Sequence, residues 1–88
     1  MRGFTTHKTF DRMFTKLSRR LQLKFLERSG FFLVDPFHTL LYDHELKGKW
    51  VNHRSINVSG DYRAVYRQLD AESYLFVAIG THHELFGK

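Results

Sequence analysis

Apolar residues recur at helical spacing in the first part of the chain. Between residues 10 and 17 an apolar side chain stands every three or four positions, which puts these side chains on one face of a helix. Thr6 is a candidate N-cap, since a threonine hydroxyl accepts from a free backbone N–H of the first turn. The predicted apolar face consists of Phe10, Met13, Phe14 and Leu17.

A second helix is predicted to begin at Ser18, which can cap it, and to end at Asp35-Pro36. Gly30 either lies inside this helix at a cost of about 1 kcal/mol or ends it early. One bent helix through both segments stays open, but an antiparallel pair is favoured because a small domain must bury both apolar faces in one core. The predicted buried stripe is Leu23, Leu26 and Leu33, widened by Leu21, Phe25 and Phe32.

In the second half of the chain, apolar and polar residues tend to alternate, a spacing of two that is typical of strands. Residues 54–67 predict two strands joined by a tight turn at residues 59–61. On the first arm Ser55 and Asn57 share one face of the strand, and Ile56 and Val58 share the other. Strands are predicted at about residues 2–5, 50–58, 62–69 and 74–79, with a tight turn or a short helix at 80–86.

The predicted order is β-α-α-β-β-β, an α+β plan in which two N-terminal helices cover one face of an antiparallel sheet. With 88 residues, the chain has the length of a single domain over 1–88. Nine Phe, four Tyr and one Trp help such a short chain to build a core. The chain has no cysteine, no apolar run of membrane-spanning length and no signal-peptide pattern, so we expect a cytoplasmic protein without a membrane partner.

The charge of the chain is unevenly distributed. The net charge is +5, and residues 1–42 hold eight Lys/Arg against three Asp/Glu, whereas residues 43–88 hold six of each. A localised basic surface attracts nucleic acid, anionic lipid or an acidic protein. On the second helix this surface is either a merely solvated ridge or a contact for RNA, and its members are Arg19, Arg20, Lys24 and Arg28.

Six histidines invite a test for a metal site, but none has the spacing of zinc ligands and no cysteine is present. We therefore expect neither a metal nor another cofactor. Metal-free RNA cleavage instead needs a proton acceptor, a proton donor, a cation for the charge on phosphorus and an aromatic ring for the base. The candidates are His44, Asp61, Arg63, His82 and Phe86.

Each of these candidates also has a structural alternative. His44 suits a loop or a helix cap, and Asp61 suits a turn. Arg63 can pair with a nearby carboxylate, and Phe86 can fill the core. His53 and His83 are assigned no role, because each has a better-placed neighbour.

Three motifs resemble those of a known family. The chain has DHxLxG at residues 43–48, RSINVxGDYRAVY at 54–66 and IGTHHELF at 79–86. In this order and spacing they resemble the RelE superfamily of toxins from type II toxin–antitoxin systems, and its YafQ-like, RelE/StbE branch most. The resemblance covers essentially the whole chain. It implies a helical pair packed on a small, curved antiparallel sheet.

The resemblance also implies a function. Members of the family are metal-free, ribosome-dependent mRNA endonucleases that a cognate antitoxin neutralises. The expected partners are therefore an antitoxin, the ribosome and mRNA. We expect the free toxin to be a monomer. By position in the motifs, His82 is implied as general acid and Arg63 as the phosphate-charge stabiliser. His44 is implied to assist His82 in proton transfer or to contact the phosphate. The remaining residues expected to act at this site are Asp61 and Phe86 in catalysis, and Lys49, Arg54 and Asn57 in substrate binding.

The chain departs from the family at two positions. The YafQ branch usually has an acidic residue and a histidine where this chain has Ser55 and Asn57, and neither of these acts as a base at neutral pH. If the site is active, Asn57 orients the substrate and His44 or Asp61 is the base. The alternatives are a ParE-like toxin without nuclease activity on the same fold, and a catalytically weak module that binds RNA or antitoxin.

Overall fold

The computed structural model describes residues 1–87, which form three α-helices against a five-stranded sheet. Two single turns of 3-10 helix, Thr39–Leu41 and Gly48–Trp50, flank the second strand. In this part of the chain, no helix has the length and apolar character needed to cross a membrane. The elements are β1 (Gly3–Thr6), α1 (Lys8–Thr15), α2 (Arg19–Val34), β2 (His44–Glu45), β3 (Arg54–Ser59), β4 (Tyr62–Asp70), β5 (Ser73–Thr81) and α3 (His82–Phe86).

The sheet is mixed, whereas the sequence led us to expect an antiparallel sheet. The strand order is β1-β5-β4-β3-β2, and only the pair β1–β5 is parallel. The helices between β1 and the later strands let the chain cross over and bring β1 to the outer edge of β5. The α+β class, the helical pair and the last two strands are as predicted, whereas the strand predicted from about residue 50 begins only at Arg54, because Gly48–Trp50 forms a turn of 3-10 helix.

The helix ends follow local capping. Ser18 Oγ accepts from the Leu21 amide at 3.3 Å, so the predicted cap of α2 is confirmed. The predicted cap of α1 is wrong, because Thr6 belongs to β1 and His7 Nδ1 accepts from the Thr9 amide instead. Gly30 lies inside α2, which continues to Val34 and ends before Asp35-Pro36.

The buried face of α2 is only part of the predicted stripe: the three residues expected to widen it are buried, and Leu33 is partly buried against the core. Leu21, Phe25 and Phe32 are buried, whereas Leu23 and Leu26 are 50% and 55% exposed. Both sets have helical spacing, so periodicity alone does not choose between them. The aromatic set is the one that packs, because the sheet face below it presents large rings: the Phe32 ring centroid lies 4.8 Å from that of Tyr66 and 5.3 Å from that of Phe76.

The opposite face of the sheet has a smaller core of its own. Its buried members are Val65 of β4, Ala78 of β5 and Leu85 of α3. An extra residue in β5, Val77, lies between the pairs Val65–Ala78 and Tyr66–Phe76. This bulge lets Phe76 face the helices while Val77 and Ala78 both pack on the other side. We call the side of the sheet away from α1 and α2 the site face. It is covered by Leu46 and Trp50, which follow β2, and by Phe86 of α3.

Candidate active site

Strand pairing lines up most of the predicted residues on the site face. His44 pairs with Ser55, and on the next row of the same face Asn57 pairs with Arg63. Side chains two positions apart on a strand share a face, so all four belong with Val65 of the smaller core. Neighbouring strands lie about 4.8 Å apart, which puts β2 and β4 about 10 Å apart, close enough for long side chains on both to reach one phosphate.

The two segments that carry the predicted histidines meet over this face. Trp50, which follows β2, donates from Nε1 to the carbonyl oxygen of Leu85 in α3 at 3.0 Å. The side chains of both residues pack in the smaller core. His82 begins α3, and its amide donates to the carbonyl oxygen of Asp61 at 2.8 Å, which ties α3 to the turn between β3 and β4. His44, Asp61 and His82 thus lie on segments joined around the site face.

His44 is held with one particular ring nitrogen outward. Its Nδ1 lies 3.0 Å from the carbonyl oxygen of Tyr42. A carbonyl only accepts, so this hydrogen bond requires the proton on Nδ1 and leaves Nε2 of the neutral ring as the proton acceptor. Tyr42 has a left-handed backbone with φ 47°, and its ring lies 5.6 Å from the His44 ring. Tyr42 therefore orients His44 through both its backbone and its ring.

His82 and Phe86 form one unit on α3. Their positions differ by four, so they lie on the same side of the helix, and their ring centroids are 4.9 Å apart in an edge-to-face arrangement. A capping box fixes the start of this helix: Thr81 Oγ1 accepts from the Glu84 amide, and Glu84 Oε1 accepts from the Thr81 amide. Both rings are partly exposed, which suits a ring pair that meets a nucleobase or a leaving group.

Arg63 supplies the cation of the site face. Its Nη1 donates to the carbonyl oxygens of Gly60 and Tyr62 at 2.8 and 3.1 Å, so the guanidinium is folded against the turn before β4. These contacts use a single nitrogen of the group, and the side chain is half-buried. Asp61 is exposed at the same turn.

Ser55 and Asn57 make the polar floor between His44 and Arg63. Within residues 1–87, neither Ser55 Oγ nor Asn57 Oδ1 has a hydrogen-bond partner, although both atoms are buried. Buried polar atoms are normally paired, so two unpaired ones side by side are unusual. They occupy the positions at which the family resemblance led us to expect an acidic residue and a histidine.

The structure does not bring Arg54 into this group. It alternates with Ser55 along β3, and its Nε donates to Asp43 Oδ1 at 2.6 Å, while its guanidinium lies 5.3 Å from the Phe37 ring. The Tyr66 hydroxyl donates to the other oxygen of Asp43. Burial raises the pKa of the Asp43 carboxyl, and the hydrogen bonds from Tyr66 and Arg54 offset only part of this increase. Burial and the bond to Asp43 raise the pKa of Tyr66.

Lys49 and the basic residues of α2 lie outside the group as well. Lys49 is exposed, with its Nζ 5.8 Å from the Trp50 ring. Arg19 and Arg20 are exposed, whereas Lys24 pairs with Glu27 at 3.2 Å. Arg28 donates from Nε to the carbonyl oxygen of Val58 at 3.3 Å, so it is partly a structural link between α2 and β3.

Sequence reasoning missed three residues that shape the site: Tyr42, Asp43 and Trp50. The neighbourhood of Asp43 and His44 was visible in the DHxLxG motif, but the partners of Asp43 come from β3 and β4, and no local pattern points to them. Trp50 is the only tryptophan of the chain, which was an available signal for a residue that joins two segments. Within residues 1–87 no group of three His, Asp or Glu side chains is arranged to hold a metal ion.

Comparison with known proteins identifies the family of this chain. Residues 2–87 match the family described as "Bacterial toxin of type II toxin-antitoxin system, YafQ". The chain belongs to the YafQ toxin family. No curated protein sequence matches this YafQ-family toxin significantly.

Several solved structures have the same fold as this YafQ-family toxin. YafQ from E. coli strain BL21(DE3) is similar with a TM-score of 0.78 and 23% identity over 99% of this chain and 100% of that one. The E. coli DinJ–YafQ toxin–antitoxin complex gives 0.74 and 23% over 98% of both chains. The RelBE2 toxin–antitoxin complex of Mycobacterium tuberculosis gives 0.73 and 21% over 90% and 95%. At these identities the likeness concerns the fold.

Proposed function

We propose that this toxin is a metal-free endoribonuclease that cleaves mRNA on the ribosome. The observation that carries the proposal is the junction of the two histidine-bearing segments over the sheet face that also carries Arg63. The hydrogen bond from Trp50 to Leu85 makes that junction. A nuclease of this kind needs a proton acceptor, a proton donor and a cation at one phosphate, and we assign these roles to His44, His82 and Arg63.

His44 acts as the general base in this mechanism. Its Nε2 takes the proton of a ribose 2′-hydroxyl, because Nδ1 is already committed to the Tyr42 carbonyl. The freed 2′-oxygen attacks the neighbouring phosphorus and forms a 2′,3′-cyclic phosphate while the bond from phosphorus to the 5′-oxygen breaks. Asn57 holds the substrate beside the base. Its amide cannot take a proton at neutral pH, so the base is a residue other than those at positions 55 and 57.

Arg63 and His82 complete the reaction. The guanidinium of Arg63 turns from the carbonyls of the turn to the phosphate oxygens as negative charge grows on them. His82 gives its proton to the departing 5′-oxygen, so one proton leaves the 2′-hydroxyl and one enters the 5′-hydroxyl. Phe86 stacks on a base next to the cleaved bond, and Asp61 at the adjacent turn supports the charge on His82.

The basic surface and the partners belong to the same proposal. Arg19, Arg20, Lys24 and Arg28 contact ribosomal RNA, so binding weakens with salt. Lys49 contacts the substrate. The free toxin is a cytoplasmic monomer formed by one domain over 1–88, and a cognate antitoxin neutralises it, as the antitoxins in the solved complexes accompany their toxins.

One observation favours a second candidate function, a catalytically weak toxin that binds RNA or antitoxin. Ser55 and Asn57 leave the floor of the site without an ionisable side chain, and their unpaired oxygens suit binding more than proton transfer. On this reading His44 and His82 contact phosphate and do not transfer protons.

Primer-extension mapping of mRNA from cells that express the protein separates these functions. Wild-type protein should give discrete cleavages within translated codons, and His44→Ala and His82→Ala should each reduce them about 10²- to 10⁴-fold, the usual contribution of a general acid or base. His83→Ala is the matched control, because this exposed neighbour on α3 has no part in the mechanism and should cleave like wild type. Growth arrest without RNA cleavage would support the weak binding toxin, and DNA damage without RNA cleavage would support a ParE-like toxin.

A further inference from the structure

The outward side of α2 carries a second apolar stripe. Leu23 and Leu26 are 50% and 55% exposed, and Val34 is 78% exposed. Gly30, also exposed, lies between them at helical spacing. We call these four residues the outer stripe of α2: Leu23, Leu26, Gly30 and Val34.

The outer stripe lies opposite the buried one. Along a helix each residue turns by about 100°, so Leu23 and Gly30 point away from the side on which Phe25 and Phe32 enter the core. From Leu23 to Val34 the stripe runs about 17 Å, at 1.5 Å per residue. A long, narrow apolar row on a helix is the shape that a partner helix covers by packing its own side chains into it.

Gly30 gives the stripe a shallow depression. A Cβ built at Gly30 meets no atom within 4 Å, so nothing inside the molecule requires a glycine there. A glycine in a helix interior nevertheless destabilises the helix relative to alanine. If a side chain of a partner helix packs between Leu26 and Val34, this contact would explain why a destabilising glycine is present at position 30.

The charge beside the stripe indicates the character of the partner. Arg19 and Arg20 are exposed at its N-terminal end, and Lys24 flanks it. Glu27 is the only carboxylate in α2, and it pairs with Lys24. A second copy of this toxin would bring the same excess of positive charge to the contact, whereas an acidic helix would complement it.

We propose that the outer stripe of α2 is the docking surface for an acidic, amphipathic helix of the cognate antitoxin. The inference rests on the proposed toxin function for its choice of partner. The apolar face of the antitoxin helix covers the leucines, with a small or medium apolar side chain seated over Gly30. Its carboxylates meet Arg19 and Arg20, so the bound antitoxin also masks part of the basic surface.

Two substitutions test the stripe without disturbing the fold. Gly30→Leu fills the depression, and its side chain projects into open space, so the variant should melt at the same temperature as wild type or higher. Leu26→Lys replaces an exposed apolar contact with a charge. Leu69→Lys is the matched control, because Leu69 is exposed to a similar degree, 47%, but belongs to β4 and not to the outer stripe of α2.

The probe is the purified cognate antitoxin, identified as the small acidic protein whose co-expression relieves growth arrest by this toxin, and calorimetry measures its dissociation constant. Gly30→Leu and Leu26→Lys should each weaken binding at least tenfold, and Leu69→Lys should change it less than twofold. Equal binding by all three variants would overturn the proposal. So would self-association of the free toxin that the same two substitutions abolish, since the stripe would then bind a second copy.

RNA cleavage by the free variants separates a failure of this inference from a failure of the proposed function. The outer stripe lies on the far side of α2 from the site face, so Gly30→Leu and Leu26→Lys should cleave like wild type once the antitoxin is removed. If wild-type protein cleaves no RNA, the nuclease proposal fails while the binding result still decides the docking surface.

Discussion

Removal of a single buried hydroxyl should make this protein more stable. Ser55 is 0% exposed, and within residues 1–87 its Oγ has no hydrogen-bond partner. A buried hydroxyl without a partner costs about 1–3 kcal/mol in lost hydration. Ser55→Ala removes this cost and leaves a space of only one atom, so we expect the free energy of unfolding to rise by about 1 kcal/mol.

The measurement is urea and thermal unfolding followed by circular dichroism. For a domain of this size, 1 kcal/mol corresponds to a rise of about 4–8 °C in Tm. Ser29→Ala is the matched control, because Ser29 is also buried but its Oγ donates to the Leu26 carbonyl oxygen at 2.8 Å. There the lost hydrogen bond offsets the better helix propensity of alanine, and we expect a change within about 0.5 kcal/mol.

A loss of stability in Ser55→Ala would refute this reasoning. It would show that the hydroxyl is hydrogen-bonded in solution, for instance to a buried water between β3 and the covering loop. If Ser55 also helps to hold RNA, the alanine variant should be more stable and cleave less, a combination expected where a polar group is kept for function at the expense of stability.

Two further predictions concern carboxylates. Tyr66→Phe removes the hydroxyl that donates to Asp43 and should lower the free energy of unfolding, measured in urea, by about 1–3 kcal/mol. Tyr42→Phe is the control, because Tyr42 is exposed. Equal stability of both variants would show that the hydrogen bond from Tyr66 to Asp43 does not stabilise the fold. A backbone hydrogen bond to the exposed carboxylate of Asp70 lowers its pKa, so its stabilising contribution is present above the unfolded pKa and is lost as the pH falls through the lower folded value. The stability difference between wild type and Asp70→Asn should therefore shrink between neutral pH and pH 3, and a constant difference would count against it.

Much of the candidate site was accessible from the sequence, because its residues occur in short motifs. The positions of His44, Arg63 and His82 came from those motifs, and strand alternation correctly joined Ser55 with Asn57. The same alternation already separates Arg54 from that pair, so its placement on the other face was a signal that the sequence contained. The partners of Asp43 and Trp50 come from distant segments and carry no local signature.

Several features of the local structure follow from the sequence alone. The hydroxyl of Ser18, the proline after Asp35 and the tight turn around Gly60 act through atoms a few residues away, so each could be read from its neighbours. The tertiary structure decided which stripe of α2 is buried and that β1 runs parallel to β5. Those choices depend on the fit between surfaces that are distant in the sequence: Phe25 and Phe32 are buried because the aromatic sheet face accepts them, and this leaves Leu23 and Leu26 outside.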